Sequence, residues 1–190
     1  MQVCWHDNGK FKKRQLIARV IRSMLIAYRG ILPAVAADAF VAPTATIVGD
    51  VQVGSEAGIW FGVILRGDVH SIRIGRRTNL QDGTIVHVTS GTHPTVIGDG
   101  VTVGHGVKLH GCTIADGCLI GIGAIVLDGA VIGEQSMVAA GSLVVPGTVV
   151  PPRSLVIGSP GKVKRILSDQ ESEQLQLLAA RYVAYRLEYL

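Results

Sequence analysis

The sequence predicts a mainly β protein: a prism of short parallel strands wound through about five to six triangular coils, with one C-terminal α-helix after them. Three observations lead there. An aliphatic residue recurs at every sixth position, first as Val41, Ile47, Val53, Ile59 and Leu65, then after a short insertion as Ile74, Leu80 and Val86. It resumes as Ile97, Val103 and Leu109 and, one residue early, as Ile114, Ile120, Val126, Ile132, Val138 and Val144. Four residues after most of these anchors stands a small or β-branched residue, among them Ala45, Ala57, Val69, Thr84, Thr113, Cys118, Ala124 and Ser136. Glycines are abundant, 24 in 190 residues, without the Gly-X-Y spacing of collagen.

A strict six fits neither the helical period nor simple strand alternation. It fits a short strand that buries one aliphatic and one small residue and then turns a tight corner, where Gly, Asp and Asn supply left-handed backbone. Three such units close a triangle, and successive triangles stack at about the 4.8 Å spacing of paired strands.

Along the chain, residues 1–30 are a basic N-terminal extension that can be helical. KFKKRQLIARVIRSMLIAYRG is acid-poor, as a transit segment would be. Met24 opens LIAYRG just before the repeats, so residues 1–23 read equally as an upstream extension or as a helix docked on the coil. The β-helix domain is expected over 31–155, with a connector and an amphipathic helix over 156–190. Ser168 is the N-cap, Asp169, Glu171 and Glu173 load the first turns, and Leu175, Leu178, Tyr182, Tyr185 and Tyr189 form the packing stripe.

Composition narrows the function. Apolar residues reach 48% but aromatics only 5%, so the core is aliphatic. The formal charge of +4 gathers largely before residue 30, which argues against a nucleic-acid surface on the main domain. Cysteines number three, at Cys4, Cys112 and Cys118, an odd count without paired spacing that points to a reducing, cytoplasmic setting. A mitochondrial setting applies if residues 1–23 are a transit segment. No apolar run reaches the roughly 18 residues of a membrane span.

The chemistry lies in the histidines. His87 comes directly after anchor Val86 and His110 directly after anchor Leu109, three hexads apart, so both point outward on one face in adjacent coils. Their backbones should stand about 4.8 Å apart, close enough to share a metal at about 2.0–2.1 Å from each ring nitrogen. His105 is third in its hexad, at a corner one face away, from which it cannot easily turn back to its own pair but could project into a neighbour's site. Threefold packing of such prisms would put one site at each subunit interface.

These residues sit in three runs: Arg66-Gly67-Asp68, then NLQDGTIVH (79–87), then HGVKLHGC (105–112). Together they resemble the γ-class carbonic anhydrase family of hexapeptide-repeat, left-handed parallel β-helix proteins, over residues 41–149. The resemblance implies the left hand of the coil and a homotrimer. It implies a zinc ion, with cobalt or ferrous iron as substitutes, held by His87 and His110 of one subunit and His105 of the next. Arg66 and Asp68 would pair across the interface, and Gln81, with Asp82 behind it, would order the metal-bound solvent. A metal so held lowers the pKa of bound water towards about 7, and the hydroxide attacks carbon dioxide to give bicarbonate.

The chain departs from the family where protons must leave. Val69 stands where active members carry a glutamate after the RGD, and the loop VTSGTHPT (88–95) has no acid. His93 is the candidate replacement shuttle, while His70 is a weaker one and His6 reads as tail. A slow hydratase is therefore one reading. A coenzyme A thioesterase or hexapeptide acyltransferase is a second, prompted by GSPGK (158–162), and a non-catalytic metal-binding or structural subunit of a larger assembly is a third.

Overall fold

The computed structural model describes residues 25–190. Residues 1–24, with most of the basic segment, its transit reading, His6 and Cys4, lie outside the described residues; the last part of the extension expected over 1–30 is not helical, since Leu25–Ile26 is a strand and Tyr28 bridges to Ile31. From Leu25 onward the chain is the expected parallel β-solenoid with one C-terminal helix, but with about seven coils rather than five to six, since seven parallel strands stack on one face.

One face of the prism carries seven parallel strands, Phe40–Val41, Gly58–Ile59, Asn79–Leu80, Thr102–Val103, Leu119–Ile120, Met137–Val138 and Ser154–Gly158, and a last strand, Gly161–Ile166, that runs antiparallel. The other two faces merge into a twelve-stranded sheet because Thr46–Val53 and Ile64–Ile74 continue round a corner. The coil exceeds the expected boundaries at both ends. Leu25 and Ile26 already pair with Ile47 and Val48, and Val150 and Val156 extend the ladder beyond Val144 in the same six-residue step.

The anchors from Ile47 to Val144 are buried to 4% exposure or less, and Val41 packs on the cluster from its rim. No aromatic ring of the described residues enters this core, which is built from Val, Ile, Leu, Ala and two cysteines. Inward hydroxyls near the corners find backbone partners in the next coil: Thr78 donates to the Gly98 carbonyl at 2.7 Å and Thr84 to that of Gly104 at 3.1 Å. Both buried hydroxyls are thus satisfied, which is what a stack of polar corners in an aliphatic core needs.

Two small-residue slots differ from expectation. Val69 is 39% exposed and Thr113 is exposed as well. The inward slot is set by the next anchor, two residues on, rather than by the one before. Where spacing changes, Ile72 and Cys112 take the slot, at 0% and 1% exposure.

The C-terminal helix, α1 (Asp169–Tyr185), starts with a full capping box: Ser168 Oγ accepts from the Glu171 amide and the Glu171 carboxylate accepts from the Ser168 amide. It lies on the eight-stranded face. Leu175 packs with Leu155, Leu167, Leu119 and Met137 near the last coils, and Tyr182 and Tyr189 reach Trp60 at 5.6 and 5.4 Å between ring centroids near the first. α1 therefore runs back down the prism. Its buried stripe is Ser172, Leu175 and Ala179, continued by Arg186. Tyr185, expected in that stripe, is 43% exposed and only leans on Tyr182, because the stripe turns past it to Arg186.

Candidate metal centre

Strand pairing sets His110 beside His87, since Lys108, Leu109 and His110 align with Ile85, Val86 and His87. The two rings stand on adjacent rungs, 5.0 Å between centroids, with His87 Nδ1 3.1 Å from His110 Nε2. The coil below aligns Leu65 with Val86, so Arg66 and Asp68 belong to the same column.

Each outer nitrogen of the pair meets a carboxylate. His87 Nε2 is 3.0 Å from Asp68 Oδ1, and His110 Nδ1 is 2.6 Å from Asp128 Oδ1. Burial alone would raise the Asp68 carboxyl, but hydrogen bonds from Arg66, at 2.5 Å, and from His87 outweigh it and hold the group below the usual range. Burial acts on Asp128 in the same direction and is likewise outweighed, here by bonds from His110 and Thr89. Both are carboxylates at neutral pH and can only accept. The outer ring nitrogens must then carry the protons. In neutral rings this leaves two bare lone pairs, on His87 Nδ1 and His110 Nε2, aimed at each other.

Lone pairs 3.1 Å apart repel unless a cation lies between them. The separation is one that two ligands about 2.0–2.1 Å from a single ion can adopt. Carboxylates on the far nitrogens are also what metal-binding imidazoles usually have. The donor set therefore fits a divalent metal. Among the described residues, no three His, Cys, Asp or Glu side chains of one chain gather round a common point.

His105 stands apart, at the corner after Thr102–Val103, with its side chain 47% exposed. It too has a carboxylate partner, Asp82 Oδ2 at 2.9 Å from Nδ1. Asp82 thus holds a histidine rather than backing Gln81. Gln81 is buried directly after the strand Asn79–Leu80, and its amide donates to Asn79 Oδ1 at 3.2 Å. Asn79 in turn donates to Thr102 at 2.9 Å. Arg66 and Asp68 pair within one chain. His93 is not a free loop residue: its Nδ1 lies 2.9 Å from the Thr92 hydroxyl, and its ring rests against Gly129 beside Asp128. His70 Nδ1 accepts from the Ser71 amide at 2.8 Å.

Asp128 belongs to none of the three sequence motifs. The strand register carries His110 onto Leu127 one coil further, so Asp128 stands one residue past that column, level with Gly111 at the corner.

Comparison with known proteins agrees with this architecture. Residues 111–146 match the family model described as bacterial transferase hexapeptide (six repeats). "Carbonic anhydrase" of Geobacillus kaustophilus is 46% identical over 84% of this chain and 87% of its own. Protein YrdA of Escherichia coli is 42% identical over 88% of this chain and 94% of its own. "Gamma carbonic anhydrase 1, mitochondrial" of Arabidopsis thaliana is 49% identical, but the match spans 43% of this chain and only 32% of the plant protein. Among solved structures, a hexapeptide transferase family protein from Anaplasma phagocytophilum superposes with a TM-score of 0.86 at 44% identity, covering 89% of this chain and 99% of that one. The N-acyltransferase AntD of Bacillus cereus gives 0.58 at 14% identity, over 90% and 97% of the two chains, a likeness of fold alone.

Proposed function

The chain belongs to the γ-class carbonic anhydrase-like family of hexapeptide-repeat proteins, and on that premise we propose that it is a metal-dependent hydratase interconverting carbon dioxide and bicarbonate. The observation that carries the reading is the pair of bare imidazole nitrogens, His87 Nδ1 and His110 Nε2, held face to face by Asp68 and Asp128. His105 of a neighbouring subunit supplies the third donor, in a homotrimer. That assignment is supported by its exposed corner and by its own carboxylate, Asp82. Ile64 and Ile85, 39% and 42% exposed on the strands that carry Arg66 and His87, give this face the apolar surface of a subunit contact.

Zinc, or cobalt or ferrous iron in its place, supplies a Lewis acid that makes water nucleophilic near neutral pH. The chain's residues do the rest. Asp68 and Asp128 keep the ring protons on the outer nitrogens, so the inner ones stay available as donors. Arg66 fixes Asp68 and balances its charge. Gln81, next to the Asp82 that holds His105, is the candidate for orienting solvent from the subunit that supplies His105. Hydration releases a proton, and no carboxylate lies in the 88–95 turn to carry it away. His93, beside Gly111 and Gly129, is the candidate imidazole base, but its ring is packed against the coil, so proton transfer to buffer limits the rate.

Stopped-flow hydration by the zinc- or cobalt-loaded protein, with His110→Ala as control, tests the assignment. Hydration lost in the variant and rising with added imidazole buffer is the expected result. Equal hydration by both proteins would end it.

A further inference from the structure

We propose that Asp128 is a positioning residue for the metal centre, fixing the tautomer and rotation of the His110 ring so that Nε2 is the nitrogen offered to the metal. The inference rests on the reading of His110 as a ligand, and it concerns a residue outside all three sequence motifs.

Four observations carry it. Asp128 Oδ1 lies 2.6 Å from His110 Nδ1, the shortest of the three carboxylate–imidazole contacts. The other carboxylate oxygen accepts the Thr89 hydroxyl at 3.0 Å, so both oxygens are engaged and the group cannot swing away. Its backbone is bound to the coil beneath through the Gly129 amide and the Gly111 carbonyl, 2.7 Å apart. Finally, the space it occupies exists only because residue 111 is glycine: a Cβ there would stand 2.2 Å from Asp128 Oδ1 and 2.7 Å from His93 Cβ. Asp68 grips His87 from the coil below while Asp128 grips His110 from the coil above. The pair is clamped from both ends, and neither ring can turn its bare nitrogen away without breaking a bond to a carboxylate.

A purely structural role is the rival, since Asp128 also ties the 88–95 turn to the coil through Thr89. Three variants in the full-length protein separate the two: Asp128→Ala, Asp128→Asn and Thr89→Val. Long-range proton–nitrogen NMR of the metal-free protein reads which His110 nitrogen carries the proton, and calorimetric and optical titration with Co2+ reads affinity and ligand field. Wild type should hold the proton on Nδ1. Asp128→Ala should move it to Nε2 for most of the population, weaken Co2+ binding by about 10–100-fold and alter the visible spectrum. Asp128→Asn keeps an oxygen that accepts from Nδ1–H, so it should retain the tautomer and lose less. Thr89→Val should weaken binding in the same direction by a smaller factor.

A folded Asp128→Ala protein with the wild-type tautomer, affinity and spectrum overturns the proposal. If that variant does not fold, unchanged Co2+ binding and tautomer in Thr89→Val overturn it instead. A wild-type protein that takes up no Co2+, or a His110→Ala protein that binds it equally well, would sink the metal reading itself, which is a separate result.

Discussion

His87 Nδ1 and His110 Nε2 face each other at 3.1 Å with both outer nitrogens committed to carboxylates. An arrangement that repels itself when empty should be stabilised when a cation binds. We predict that zinc raises the melting temperature of the wild-type protein, by the linkage that gives about 2.7 kcal/mol at a ligand concentration 100 times Kd. Chelator should reverse the gain, and His110→Ala should remove it. A differential scanning experiment with and without zinc checks this, and equal shifts in both proteins would refute it.

Gly111 is predicted to be intolerant of any side chain. Its φ of +56° disfavours an L residue, and its Cβ would collide with Asp128 and His93. Gly111→Ala should cost about 1–3 kcal/mol of stability. Because the clash falls on the carboxylate that holds His110, metal affinity should fall with it. Urea melts and Co2+ titration of the same sample report both effects, and loss of stability with intact affinity would detach the glycine from the site.

Arg186 closes the molecule over a long sequence distance. Its guanidinium donates to the Asp38 carbonyl at 2.7 Å and to Glu56 at 3.2 Å, and the residue is only 5% exposed. Arg186→Ala leaves both acceptors without this partner and should lower the unfolding free energy by about 1.5–3 kcal/mol. Residues beyond Tyr182 should then become accessible to protease before the coil does. Proteolysis that starts equally everywhere would contradict this.

The anchoring of α1 should weaken in acid. The hydrogen bond from Arg165, with that from the Ser168 amide, lowers the Glu171 carboxyl to about 2 from 4.5. A depressed carboxyl stabilises the fold above its unfolded value and loses that contribution as pH falls through its folded value. The loss should therefore run from about pH 4.5 down to about pH 2. Trp60 fluorescence, sensitive to the docked Tyr182 and Tyr189 rings, should track it, and Glu171→Gln should flatten that part of the curve. An unchanged curve in the variant would show that another group is responsible.

Much of the fold and half of the site are legible in the residues alone, for physical reasons that also mark where legibility stops. A six-residue aliphatic period leaves few ways to bury a core, so the coil and the stacking of His87 on His110 emerge from counting. Counting fails at Val69, after an insertion, and at Thr113, where the step is one residue short, because only the next anchor defines the slot. It fails at Tyr185 because a stripe of small residues, Ser172 and Ala179, steers the helix differently from its aromatics. Which face the helix covers, here the one that carries Asn79–Leu80, is a tertiary choice that local periodicity does not encode. Of the three carboxylate–imidazole pairs, the one made by Asp128 escapes column arithmetic, because one coil beyond His110 the column falls on Leu127 and Asp128 reaches back from the corner after it.

A coil of this kind has no built-in length: its last rung presents the same unpaired backbone that its first rung would accept from another molecule. Here Gly161–Ile166 reverses direction on the uppermost edge of one face, and Lys162, Lys164 and Arg165 stand exposed along it. A parallel newcomer meets a strand of the wrong polarity and a row of positive charge. That reversal closes one of the three faces to further stacking, while Leu143–Val144 and Val149–Val150 still end the other sheet in parallel strands.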